Sequence, residues 1–138
     1  YTSDEQICAQ EIYKTLFEPS QKLGDEKKIM PFKQSHGYGS TDVGDVSWLI
    51  PTGGIRTATW VPGTSAHSWQ AVAAGGTTIG LKGMKLAADV LTDSAIQIYE
   101  NPTIIIEAKQ ELASRVGEDF QYEALLGDRD PPLDYRVN

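Results

Sequence analysis

The 138 residues are enough for one domain with a buried core and too few for two. Hydrophobic residues make up 40% and charged residues 22%, which excludes an intrinsically disordered composition. Against 12 basic side chains stand 19 acidic ones; the resulting net charge of −7 excludes a phosphate-binding surface for nucleic acid and adhesion to an anionic membrane.

Cys8 is the single cysteine, so an internal disulfide and a cysteine-rich metal knuckle are excluded, and a reducing, cytoplasmic setting is expected. No run approaches the roughly 18 apolar residues of a bilayer span. The chain opens on Tyr1-Thr2-Ser3-Asp4, with neither an initiator methionine nor the basic and apolar regions of a signal peptide. It is therefore expected to be a cut or trimmed piece of a longer polypeptide.

Ser3 reads as a helix cap, with Gln6 three residues on, Asp4 and Glu5 in the first turn and Pro19 beyond the last. Cys8, Ala9, Ile12, Tyr13, Leu16 and Phe17 recur at helical spacing and define an amphipathic helix, with Cys8 as inert core. Residues 20–28 read as an exposed loop, and Pro31 demotes the apolar run 29–32 to an extended edge. Residues 36–47 form a glycine-rich polar loop leading into a short helix through Val43, Val46, Trp48, Leu49 and Ile50. The β-branched run from Ile55 to Val61, bounded by Gly54 and Pro62-Gly63, predicts a strand covered on both faces.

A helical segment at 68–74, a Gly75-Gly76 break and a long helix over 77–98 follow. Gly76, Gly80 and Gly83 each cost a helix about 1 kcal/mol, so their succession predicts that another backbone packs very close. Asn101-Pro102 opens a further helix ending near Gly117, 120–126 reads as a short strand or packed extension, and the tail from Asp130 is irregular. One strand makes only marginal structure in water. The pattern predicts a helix-rich α/β piece at the edge of a larger sheet.

His67 follows the carboxyl end of the predicted strand, on the loop leading to a helix, where ligands bind in open α/β sheets. Histidine there suits a metal ligand or a general base, and equally a surface side chain. His36, in its glycine-rich loop, reads as structural. Asp42 and Asp45 could orient a histidine at a metal, and Asp42 could instead cap the short helix. The three tryptophans read as packing, with Trp69 close enough to His67 to line a pocket.

Three motifs in order, Gly39-Ser-Thr-Asp-Val-Gly-Asp-Val-Ser-Trp48, Gly63-Thr-Ser-Ala-His67-Ser-Trp-Gln70 and Lys82-Gly-Met-Lys-Leu-Ala-Ala88, with the terminal Pro131-Pro132-Leu133-Asp134-Tyr135, resemble one family. It is the binuclear metallo-amidohydrolases of the peptidase, aminoacylase and carboxypeptidase G2 group, and the closest branch is that of the aminobenzoyl-glutamate hydrolases. The resemblance implies that residues 1–138 are the carboxyl-terminal half of a zinc-peptidase-like, three-layer α/β/α catalytic domain, without the lid or dimerisation domain. It implies His67 as a metal ligand, with Asp42, Asp45, Thr64, Ser65 and Trp69 as pocket or supporting residues.

The resemblance further implies two divalent metal ions, Zn²⁺ or Mn²⁺, in the intact enzyme, with none expected to bind this chain alone, and a general-base glutamate upstream of it. The implied substrate is an acyl- or aroyl-amino acid amide, and the implied partners are the missing amino-terminal half or another subunit, in a homo-oligomer. A non-catalytic binding or assembly module, pairing with a partner chain through the glycine face of helix 77–98, is the alternative expectation.

Overall fold

The computed structural model describes residues 1–34, 39 and 41–133. Its regular structure is helical: α1 (Ser3–Tyr13), α2 (Val43–Leu49), α3 (Trp69–Gly75), α4 (Thr78–Glu100) and α5 (Thr103–Val116), with a 3-10 turn at Asp25–Lys27 inside the predicted loop. The chain divides into two units, Tyr1–His36 with Gly54–Glu100, and Gly37–Gly53 with Asn101–Asn138.

In the first unit α1 starts one residue earlier than predicted. Thr2, not Ser3, is the cap: its hydroxyl accepts from the Glu5 amide at 3.3 Å while the Glu5 carboxylate accepts from the Thr2 amide at 2.6 Å. The acidic side chain three residues past Thr2 reaches back to its amide, and this reciprocal pair fixes the start. The helix stops at Tyr13, short of Leu16 and Phe17. The Thr15 hydroxyl sits on the Ile12 carbonyl at 2.6 Å, and the amides of Thr15 and Leu16 bond three residues back, which tightens and ends the last turn. Phe17 is left exposed.

Ala9 and Ile12 of α1, Val61, Ala74 of α3 and Ile79 of α4 form the core, with Tyr1, Cys8 and Tyr13 packed against it. Cys8 thus lies where the helical spacing puts it. Val61 and Ile79 are its largest fully buried side chains, each contributing roughly 1.5–3 kcal/mol of burial. Along α4 the buried residues are Ile79, Gly80 and Gly83, one stripe at helical spacing, while Leu81, Met84, Leu86 and Leu91 are exposed.

The predicted strand at 55–61 is not formed, and the described residues contain no strand at all, so the expected sheet does not appear. A strand needs a neighbour to take its amides and carbonyls, and none of the described residues supplies one. The segment is instead held to α4. The Thr57 hydroxyl donates to the Gly83 carbonyl at 2.9 Å, and a side chain at Gly83 would meet the Ala58 carbonyl oxygen at 2.5 Å. The close backbone approach expected from the glycines is therefore real, but the neighbour is this chain itself. At Gly80 and Gly83 no room is left for the partner chain of the alternative expectation.

Glu5 also clamps α1 to α4. Its buried carboxylate accepts from the Thr78 hydroxyl at 2.5 Å and from the Lys82 ammonium at 2.7 Å, besides the Thr2 amide. These partners, Lys82 foremost, then Thr78 and Thr2, hold its pKa down to about 2 from 4.5. A carboxyl whose folded pKa is depressed stabilises the fold fully above its unfolded value and loses that contribution as pH falls toward the folded one. The Glu5→Gln variant should therefore melt lower than the parent at pH 7, and the gap should close as pH falls from about 4.5 toward about 2. Thermal melts followed by circular dichroism across that range check it.

In the second unit α2 begins at Val43 with Asp42 in the cap position, and α5 ends at Val116, capped by Gly117, whose φ of 86° only glycine adopts freely. Residues 120–126 do not form the short strand, and only Phe120 and Tyr122 of them are packed, while Leu125 and Leu126 are exposed. Phe120 stacks on Trp48 with ring centroids 5.1 Å apart, and the Tyr122 hydroxyl donates to the Asp45 carboxylate at 2.7 Å.

Candidate functional site

The loop that carries His67 is built by a turn. The Thr64 amide donates to the Val61 carbonyl at 3.1 Å, and Gly63 bends the chain with φ 84°. Only glycine fits there, since a Cβ would lie 2.5 Å from the Cβ of Pro19. The Gly63 amide also donates to the Gln21 side chain at 3.3 Å, which ties the loop to the segment after α1.

Ser68 then caps α3. Its hydroxyl accepts from the Ala71 amide at 3.2 Å and donates to the Ser65 carbonyl at 2.7 Å. Between the turn and the cap stands His67, whose backbone takes the left-handed conformation at φ 58°. Such a conformation costs a residue with a Cβ on the order of 1–2 kcal/mol, and histidine is among the types that adopt it more often. The imidazole is exposed.

His67 and Trp69 line an open pocket of about 460 Å³ with Trp60, Ser68, Ala71 and Val72. The predicted pairing of His67 with Trp69 is thus present. Trp60 reads as packing in the sequence, yet it shares this pocket; its place just before the Pro62-Gly63 turn is the available signal. Ala71 and Val72 carry no sequence signal of a site.

Thr64 and Ser65 shape the loop but are not among the pocket residues. The Thr64 hydroxyl oxygen is buried without a hydrogen-bond partner among the described residues, an arrangement that costs roughly 1–3 kcal/mol.

Asp42 and Asp45 belong to the other unit. Asp42 makes no side-chain cap bond although it occupies the cap position of α2. Asp45 is committed to Tyr122, and this hydrogen bond, with lesser help from desolvation and the carboxylate charge, raises the Tyr122 pKa. Replacing Asp45 by asparagine should lower that pKa toward the ordinary tyrosine value of about 10, read from the phenolate absorbance in an alkaline titration. His36 lies outside the described residues, as do Asp134 and Tyr135 of the terminal motif.

A catalytic zinc typically takes three protein donors. Among the described residues no group of three or more His, Cys, Asp or Glu side chains converges. Among them, too, no helix is long and apolar enough to cross a membrane.

Over part of its length the chain is similar to a hydrolase. That relative is one of the subunits of the p-aminobenzoyl-glutamate hydrolase of Escherichia coli (strain K12), 39% identical over 72 residues. The match takes in 52% of this chain and 15% of the relative, so the chain spans only a small part of that protein's length. No family model matches the chain, and no solved structure does.

Proposed function

We propose that these residues are a carboxyl-terminal part of a metal-dependent amidohydrolase that splits the amide between an acyl or aroyl group and an amino acid. Substrates would be p-aminobenzoyl-glutamate or a dipeptide-like compound. The 39% identity to one chain of a p-aminobenzoyl-glutamate hydrolase carries this reading. The exposed imidazole beside an aromatic pocket supports it from the structural side.

In this reading the chain is one flank of a three-layer α/β/α catalytic domain whose remaining strands give segment 55–61 its neighbours. His67 offers one imidazole nitrogen to a divalent metal, Zn²⁺ or Mn²⁺, and the other donors and the proton-transferring glutamate come from outside these residues. Thr64, Ser65 and Trp69 present the loop. The rest of the polypeptide or another subunit completes the enzyme, which works as an oligomer in the cytoplasm.

The test is release of p-aminobenzoate from p-aminobenzoyl-glutamate with Zn²⁺ or Mn²⁺ supplied. It compares the 138-residue chain with the polypeptide encoded by its full reading frame. Turnover by the longer polypeptide alone, abolished by chelation, is the expected result. Turnover by the 138-residue chain, or by neither even when the longer polypeptide is co-expressed with the products of its neighbouring reading frames, overturns the proposal.

A further inference from the structure

The pocket beside His67 has a chemistry that chooses between the two ends of an aroyl-amino acid. Its volume of about 460 Å³ lies within the roughly 300–1,000 Å³ of small-molecule sites. Among the described residues no lysine, arginine, aspartate or glutamate lines it. The Ser68 hydroxyl is already used as donor to Ser65 and acceptor from Ala71. Among the described residues, the imidazole of His67 is therefore the one side-chain polar group, besides the indole N–H groups, available to a ligand there. A carboxylate-bearing amino acid would need cationic side chains or converging amides, which the described lining residues do not supply.

Trp69 is the first residue of α3, and the Trp60 indole nitrogen lies 3.8 Å from where a Cβ on Gly75, its last residue, would be. Both indoles line the pocket, and an aromatic ring in contact with either gains an offset or edge-to-face contact that a saturated ring cannot make. Trp69 and Val72, three residues apart on α3, are 60% and 77% exposed, so both have surface to give to a ligand.

We propose that this pocket seats the uncharged aryl end of the substrate, with Trp60 and Trp69 as its walls and the scissile amide directed toward His67. The identity of the ligand rests on the function proposed above. The pocket's preference for a planar ring rests on its own lining.

The probes are 4-aminobenzamide and cyclohexanecarboxamide, both uncharged amides, one aromatic and one not. Each is titrated into the 138-residue chain, with indole fluorescence and the tryptophan indole NMR signals as readouts. We expect the aromatic amide to bind at least roughly fivefold more tightly. That preference should be lost in Trp69→Leu, kept in Trp69→Phe and unchanged in Trp48→Leu, whose ring lies in the other unit against Phe120.

Equal binding of the two amides, no binding of either, or a preference indifferent to Trp69 overturns the inference. If Trp69→Leu does not fold, the selectivity of the parent chain together with Trp69→Phe decides it. Aromatic selectivity without turnover in the longer polypeptide would sink the proposed function and leave the ring site standing. Metal-dependent turnover with no aromatic selectivity would do the reverse.

Discussion

Gly80→Ala should destabilise the first unit by about 1–3 kcal/mol, although alanine is the better helix former by about 1 kcal/mol. The added methyl would lie 2.2 Å from the Gly75 carbonyl oxygen and 2.8 Å from the Gly75 Cα. These are backbone atoms of the corner between α3 and α4, so no side chain can swing aside. Gly83→Ala meets the same obstacle against the Ala58 carbonyl carbon at 2.9 Å and its oxygen at 2.5 Å. Gly44→Ala in α2 should act in the opposite sense, since nothing lies within 4 Å of its Cβ position, and should stabilise by up to about 1 kcal/mol. Urea unfolding of the three variants gives the signs directly. A Gly80→Ala chain as stable as the parent would mean that the corner yields.

The second large effect concerns activity. On the proposed function, His67→Asn, His67→Gly and His67→Ala in the longer polypeptide should each cost at least about 100-fold in hydrolysis, because each removes the donor nitrogen. Their stabilities should differ from one another. At φ 58° asparagine and glycine sit with little strain, whereas alanine should be less stable than either by about 1 kcal/mol. Equal losses of activity with unequal melting temperatures separate a chemical role from a structural one. Activity retained in the asparagine variant removes His67 from the reaction.

Electrostatics sets a limit at the alkaline end as well. The Tyr1 phenol has its pKa raised to about 12, first by burial and then by the charges of Glu26 and Glu5. A group kept neutral in the fold stabilises it below its unfolded pKa and loses that contribution as pH climbs, here between about 10 and about 12. With Glu5 acting at the acidic end, the α1 region should hold best between these two windows.

Much of the helix pattern was legible in the residues because apolar spacing and capping chemistry are local. Val43 to Leu49, the Gly75-Gly76 break, the long helix after it and the Asn101-Pro102 start all follow from neighbours within a turn or two. The same locality made the loop of His67 and its approach to Trp69 readable, since Gly63 and the Ser68 cap leave few ways to connect Val61 with α3.

What the residues could not decide was pairing. The run 55–61 has strand-like side chains, yet a ladder is a property of two segments, and here the segment is bound to the glycine stripe of α4 instead. The glycines announced a close neighbour without saying which. Only the three-dimensional arrangement showed that Ala58 and Gly75 fill that place, that Glu5 joins α1 to α4, and that Trp60 reaches the pocket of His67. Local spacing determines which helices form; contacts between residues far apart in the chain decide what each helix face touches.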